Sequence, residues 1–435
     1  MKKFVIFILL VALIPGLARS KPRTALTVLE AKGEPVENEA YVQLVRQELE
    51  DILMQTMQVS RERAAEALKT KSFTVRTAYD PQVDKALADA CKESLSDLEV
   101  GGAITDLKGN LLAVYSSGKE NNALRRGSPY GTLTPLSVYA PAFEKGSIRW
   151  NTQFEDSGYM LIDDGSGSVR YWPSPAGEDY TYKSFFAYQA LRKPINTVTV
   201  RCLAQLGTEN ALSFLEGLGM DMTTERQDVQ KNGADAALSD LVFGYVARGV
   251  TPVDMAGYYQ IFANGGKYEA PKAVQELCDS EGNVLYSRVT VQKQVVSATT
   301  ADLMNQLLQG VVENGGTGSA AAVKGLQVAG KTGSGSGSNW FVGVTPGYSI
   351  DLWHDGTSGN LTPKVFAKTA QSLYEGVPEI QKHFITHASI KQLMICSESG
   401  MAVSENCSRI EIGYFADKDI PQVCDQHLDK MKEGE

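Results

Sequence analysis

The chain has 435 residues, of which 43% are hydrophobic and 21% charged, and it carries a net charge of −9. That length can bury a large core, one big domain with flanking pieces, and the composition shows neither disorder nor coiled coil. An acidic chain without a dense Lys/Arg stretch excludes nucleic acid as an expected partner, and no repeat at solenoid period is present.

Lys2 and Lys3 precede an apolar run from Phe4 to Ala18, broken only at Pro15 and Gly16, and Ala18-Arg19-Ser20 offers a small-residue cleavage site. Residues 1–20 therefore read as a signal peptide, or as an N-terminal anchor if retained. The fifteen apolar residues fall short of the roughly 20 that a membrane span needs. Cleavage would remove Lys2, Lys3 and Arg19, taking the net charge from −9 to about −12. Export to the cell envelope is expected, with membrane association only through this segment if it stays uncleaved.

Tyr41, Leu44, Val45, Leu49, Ile52 and Leu53 recur at helical spacing, predicting an amphipathic helix over 39–57. Ser60 caps a second helix carrying Ala64, Ala65 and Leu68. Residues 21–72 thus form a helical linker or pedestal. Phe73 to Ala78 reads as a strand, and Asp80-Pro81 opens a helix with proline in the first turn, where its missing N–H costs nothing. A hairpin follows, Val100 to Thr105 and Leu111 to Tyr115 around Asp106-Leu107-Lys108-Gly109-Asn110. Helices are predicted over Pro135–Phe143 and Ile195–Leu206, and from the capping box Thr251-Pro252-Val253-Asp254 to Asn264-Gly265-Gly266. A second hairpin (Val274–Leu277, Val284–Tyr286) and a helix over 299–312 lead to strands at 327–332, 340–344 and 349–353. Strands at both ends around a helical middle predict an α+β fold, an antiparallel sheet packed between helices.

Cys91, Cys202 and Cys278 are scattered, whereas Cys396, Cys407 and Cys424 cluster near the end with His427. Three cysteines and one histidine could make a zinc site, but the spacing matches no tight knuckle. One disulfide stapling a small exported module (381–435) is the favoured reading. His383 and His387 lack the intervening glutamate of a metalloprotease motif and read as a helix surface. No metal and no cofactor are expected. With only His354, His383, His387 and His427 available, a Ser-His-Asp triad is not expected either.

Lys331-Thr332-Gly333, followed by Trp340-Phe341-Val342-Gly343, resembles the third active-site motif of the penicillin-binding transpeptidases. Other segments fall in the same order: Val75 to Pro81, Pro135 to Gly146, Gly249 to Pro252, Phe262 to Gly266, and Cys396 to His427. From about Tyr41 to His427 the chain is similar to the transpeptidase half of the bifunctional (class A) penicillin-binding proteins, without their glycosyltransferase domain. The resemblance implies a serine β-lactamase-like transpeptidase fold over 73–380.

It also implies a serine nucleophile with a lysine one turn later, on one helix face. Anchored on Pro135, those positions hold Gly131 and Thr134. Glycine has no side chain to attack with, and threonine offers no amine to activate a hydroxyl. Shifted by one residue, Thr132 becomes the fallback nucleophile, but Pro135 then takes the base position. The literal Ser116-Ser117-Gly118-Lys119 reads as chance. In the second motif, Pro194-Ile195-Asn196 keeps the asparagine and puts proline where the serine belongs. Asn196, Lys331, Thr332 and Gly333 remain as expected peptide-binding residues, the last three also explicable as sheet closure.

The resulting expectation is a non-catalytic pseudo-transpeptidase of peptidoglycan assembly, binding stem peptide, a D-Ala-D-Ala-like ligand or a cell-wall synthase. The alternatives are an active D,D-transpeptidase using Thr132 with a base such as Lys193, and a remnant without a role.

Overall fold

A computed structural model describes residues 26–163, 167–175 and 177–427. The expected signal segment lies outside them, as do residues 428–435.

The pedestal begins with β1 (Leu26–Leu29), α1 (Glu39–Met57) and α2 (Arg61–Thr70), and returns through β2 (Phe73–Thr77). Asn38 caps α1 by accepting from the Tyr41 amide at 3.1 Å, and all six residues of the predicted apolar stripe are buried. Asp80 accepts from the Gln82 and Val83 amides to start α3 (Pro81–Leu95). The hairpin β3 (Val100–Asp106) and β4 (Leu111–Ser116) closes on Asp106, which accepts from the Lys108 and Asn110 amides.

The helix predicted over 135–143 is instead a π turn, Pro135–Tyr139, running into α4 (Ala140–Lys145). Pro141 has no amide to give, and the Ala140 amide reaches back five residues to the Pro135 carbonyl. An arm then forms from β5 (Gln153–Glu155), β6 (Met160–Asp163), β7 (Val169–Trp172) and β8 (Ser184–Phe186), with β5 paired to β8 and β6 to β7. The helical lobe follows: α5 (Ala187–Arg192), α6 (Asn196–Leu206), α7 (Thr208–Gly217), α8 (Thr223–Asn232), α9 (Leu238–Phe243) and α10 (Pro252–Tyr259). Thr251 and Asp254 make the reciprocal capping box of α10.

The short β9 (Lys267–Tyr268) precedes the hairpin β10 (Val274–Cys278) and β11 (Val284–Ser287), which joins the pedestal sheet in the order β1-β2-β10-β11. β12 (Lys293–Gln294) pairs with β9, and α11 (Ala298–Val312) crosses the lobe. Then come β13 (Ala329–Gly335), β14 (Ser338–Val344), β15 (Tyr348–His354), α12 (Leu361–Leu373), β16 (Ile390–Cys396) and β17 (Ile410–Ala416). The predicted closing strands are longer than expected, because Ser336 and Gly337 alone make the β13–β14 turn, both at positive φ.

The main sheet is five-stranded and antiparallel, in the order β13-β14-β15-β3-β4. Its period of two divides the core. Trp340, Val342 and Trp353 pack with the helical lobe, while Phe341, Ile350 and Leu352 pack with α3 and α12. The α+β expectation is thereby met.

Two expectations fail. His383 and His387 do not share a helix surface: the short turn before them ends at Lys382, and His387 bonds Asp302 through its amide and ring. Cys396, Cys407 and Cys424 are separate thiols, with no disulfide among them.

Candidate functional site

A cleft of about 840 Å³ opens where the edge strand β13 meets the turn 130–134. Lys331, Thr332, Gly333 and Ser334 form one wall, and Tyr130, Gly131 and Thr134 the floor. Pro194 and Asn196, at the start of α6, stand across from them. Arg170 and Trp172 of the arm, Phe243 and Tyr245, Thr317 and Asn360 also line it.

β13 is pressed hard onto the floor, and this explains its glycines. A Cβ on Gly333 would stand 2.4 Å from the Pro129 carbonyl oxygen and 2.8 Å from the Thr132 nitrogen. A Cβ on Gly335 would meet the Tyr130 ring at 2.4 Å. Tyr130 itself has φ 50°, a left-handed conformation that is costly for a bulky residue and is held here by the packing around it.

Gly131 lies directly under Lys331: a Cβ there would be 3.6 Å from the amine and 3.1 Å from the Thr332 carbonyl oxygen. The position expected for the nucleophile is thus in the cleft and bare. Thr134 is buried and donates its hydroxyl to the Val242 carbonyl at 3.2 Å. Thr132 does not line the cleft; its buried hydroxyl donates to the Pro129 carbonyl at 2.6 Å. Lys193 is exposed and lines a different groove, beside Tyr188 and Gln189. Ser116 ends the opposite edge strand, its hydroxyl donating to the Glu120 carbonyl.

Lys331 is buried and donates to the Thr332 carbonyl at 2.9 Å. Among the described residues it forms no ion pair, and burial pulls its pKa from 10.5 to about 8. Thr332 and Thr317 face one another, hydroxyl to hydroxyl at 3.1 Å. A buried amine without a counter-charge is short of an anionic partner, and a ligand carboxylate entering the cleft would supply one. The structure therefore brings together Gly131, Thr134, Asn196, Lys331, Thr332 and Gly333, and leaves Thr132 outside. The arm residues Arg170 and Trp172 carry no periodic or motif signature and were not anticipated. Thr317, inside Gly315-Gly316-Thr317-Gly318, could have been suspected from that polar turn.

The family description "Penicillin binding protein transpeptidase domain" matches residues 125–349. Penicillin-binding protein 1A of Clostridium botulinum is 28% identical over 303 residues, 68% of this chain and 34% of that protein. Penicillin-binding protein 1A of Clostridium acetobutylicum is 31% identical over 287 residues, 64% of this chain and 33% of that protein. The chain thus spans about a third of the length of these relatives. In fold it is similar to the D,D-transpeptidase domain of a peptidoglycan glycosyltransferase from Eggerthella lenta, with TM-score 0.62, 19% identity, and 82% of this chain and 99% of that one covered. It is likewise similar to the penicillin-binding protein PonA1 from Mycobacterium tuberculosis, with TM-score 0.64, 18% identity, and 82% and 96% covered.

Proposed function

We propose that this chain, which belongs to the penicillin-binding protein transpeptidase family, is a non-catalytic member that binds wall peptide during peptidoglycan assembly. The observation that carries this reading is the bare floor at Gly131, under an intact Lys331-Thr332-Gly333 wall. A transpeptidase needs a hydroxyl to attack and a base to take its proton, and loss of such a unit removes nearly all of the rate. Gly131 has no side chain, Thr134 offers no base and commits its hydroxyl to the Val242 carbonyl, and the engaged hydroxyl of Thr132 gives the active-enzyme reading no support.

The cleft keeps what recognition requires. The C-terminal carboxylate of a D-Ala-D-Ala-like stem peptide would meet the Lys331 amine and the Thr332 and Thr317 hydroxyls, with Arg170 at the mouth. Asn196 would face the peptide backbone from the other side. The protein would act outside the cytoplasm, exported through residues 1–20, presenting wall peptide to or alongside cell-wall synthases.

Intact mass after incubation with a labelled penicillin tests the first half: no adduct is expected, and a stable gain of one drug mass would overturn the reading. Titration with an acyl-D-Ala-D-Ala peptide tests the second. Weak reversible binding, lost in Lys331→Ala, is expected, and binding indifferent to that change would remove the peptide receptor.

A further inference from the structure

From the tail residues we infer that Cys396, Cys407, Cys424 and His427 bind one zinc ion in a closed structural site. Cys396 ends β16, Cys407 lies in the β16–β17 loop, and Cys424 and His427 follow β17. Their four potential ligand atoms all lie within 4.8 Å of one another. The His427 Nδ1 atom stands 3.7 Å from the Cys396 sulfur, 3.6 Å from Cys407 and 3.4 Å from Cys424. A tetrahedral zinc with Zn–S of about 2.3 Å and Zn–N of about 2.0–2.1 Å requires S···N separations of about 3.6 Å.

Hydrogen bonding does not account for this convergence. Nδ1 carries one proton or one lone pair and cannot serve three sulfurs at once. The other ring nitrogen is already committed, with Nε2 3.0 Å from the Glu398 carboxylate. That contact is the outer partner a metal-bound histidine uses to fix its tautomer and orientation. A disulfide fits no better, since it would draw two sulfurs to about 2.05 Å and strand the third.

Three thiolates need compensation beyond a divalent cation, and donors are in place. Ser399 Oγ approaches the Cys424 sulfur at 3.2 Å, and the Ser404 amide and hydroxyl approach Cys407 at 3.4 and 3.3 Å. A soft, tetrahedral S₃N set selects zinc over hard cations, and four protein ligands leave no open position for catalysis. The ion would therefore be structural. It would clamp the 397–409 loop and the tail onto the β16–β17 hairpin. From there Glu398 and Gly400 accept, through their carbonyls, from Gln153 and Asn151 of the arm. Ten and sixteen residues separate the three cysteines, and only Cys424-x-x-His427 is tight, so the set escapes a spacing search.

The test is the metal content of the full exported chain, purified without imidazole or chelator. About one zinc per chain is expected, with cobalt replacement giving thiolate-to-metal charge-transfer and tetrahedral ligand-field bands. His427→Ala should lose the metal. Glu398→Gln keeps all four ligands and should retain zinc with about 10–100-fold weaker affinity. Metal-free wild-type chain, whether with reactive tail thiols or with a mass lower by two hydrogens from a disulfide, would overturn the assignment.

Discussion

Lys331→Met should stabilise this protein at neutral pH while abolishing its carboxylate binding. Burial holds the amine's pKa at about 8 against 10.5 in the unfolded chain. At about 1.4 kcal/mol per pH unit, the charged amine costs the fold about 3 kcal/mol below pH 8. Methionine is close in volume and carries no charge, but it forfeits the 2.9 Å bond to the Thr332 carbonyl, a loss of about 1 kcal/mol. The net expectation is a gain of about 2 kcal/mol at pH 7. The sign with pH follows from proton counting. Between about 8 and 10.5 the unfolded chain binds a proton that the folded chain does not, so wild-type stability rises across that window and the variant's advantage shrinks. Urea denaturation of both proteins at pH 7 and pH 10 reads this directly. A variant less stable than wild type by the same amount at both pH values would refute the claim that Lys331 is a buried, uncompensated charge.

Affinity for an acyl-D-Ala-D-Ala peptide should fall as pH rises through about 8, with proton uptake on binding above that pH, measurable by calorimetry in buffers of different ionisation enthalpy. Asp351 is fully buried on β15 and, among the described residues, neither carboxyl oxygen has a well-formed hydrogen bond; burial, opposed only by the nearby Leu352 backbone, raises its pKa far above 3.8. The folded chain then holds a proton that the unfolded one releases, so stability is lost as pH rises above 3.8. Asp351→Asn should flatten that slope and raise the melting temperature at pH 7. Gly333→Ala should destabilise by about 1–3 kcal/mol or more, because its Cβ would strike backbone on two sides. Gly310→Ala, inside α11 with nothing within 4 Å, should instead gain about 0.5–1 kcal/mol; equal melting shifts for the two would contradict the packing account.

The elements written in local chemistry were the readable ones. Ser60, Asp80 and Thr251 fix helix starts through their own side chains, and each caps where expected; Asn38 does the same for the helix predicted over 39–57. Lys331-Thr332-Gly333 followed by Trp340-Phe341-Val342-Gly343 placed two of the closing strands. The arm at 153–186 was missed because its strands are short and lie largely on the surface, where no apolar period is imposed. Motif spacing located Gly131, Thr134 and Lys331, but it could not say that the amine would be buried or that Thr132 would turn away. Those outcomes depend on how tightly β13 lies over the 129–132 turn. The convergence of the tail cysteines was out of reach for a related reason: it is made by a hairpin that brings distant residues together.

β13 is hydrogen-bonded to a neighbouring strand on one side only, so the lip of the groove is a sheet margin. Main-chain amides and carbonyls along such a margin can pair with an extended segment laid beside them. They are indifferent to which side chains the floor carries, so the glycine at position 131 leaves this margin unaltered.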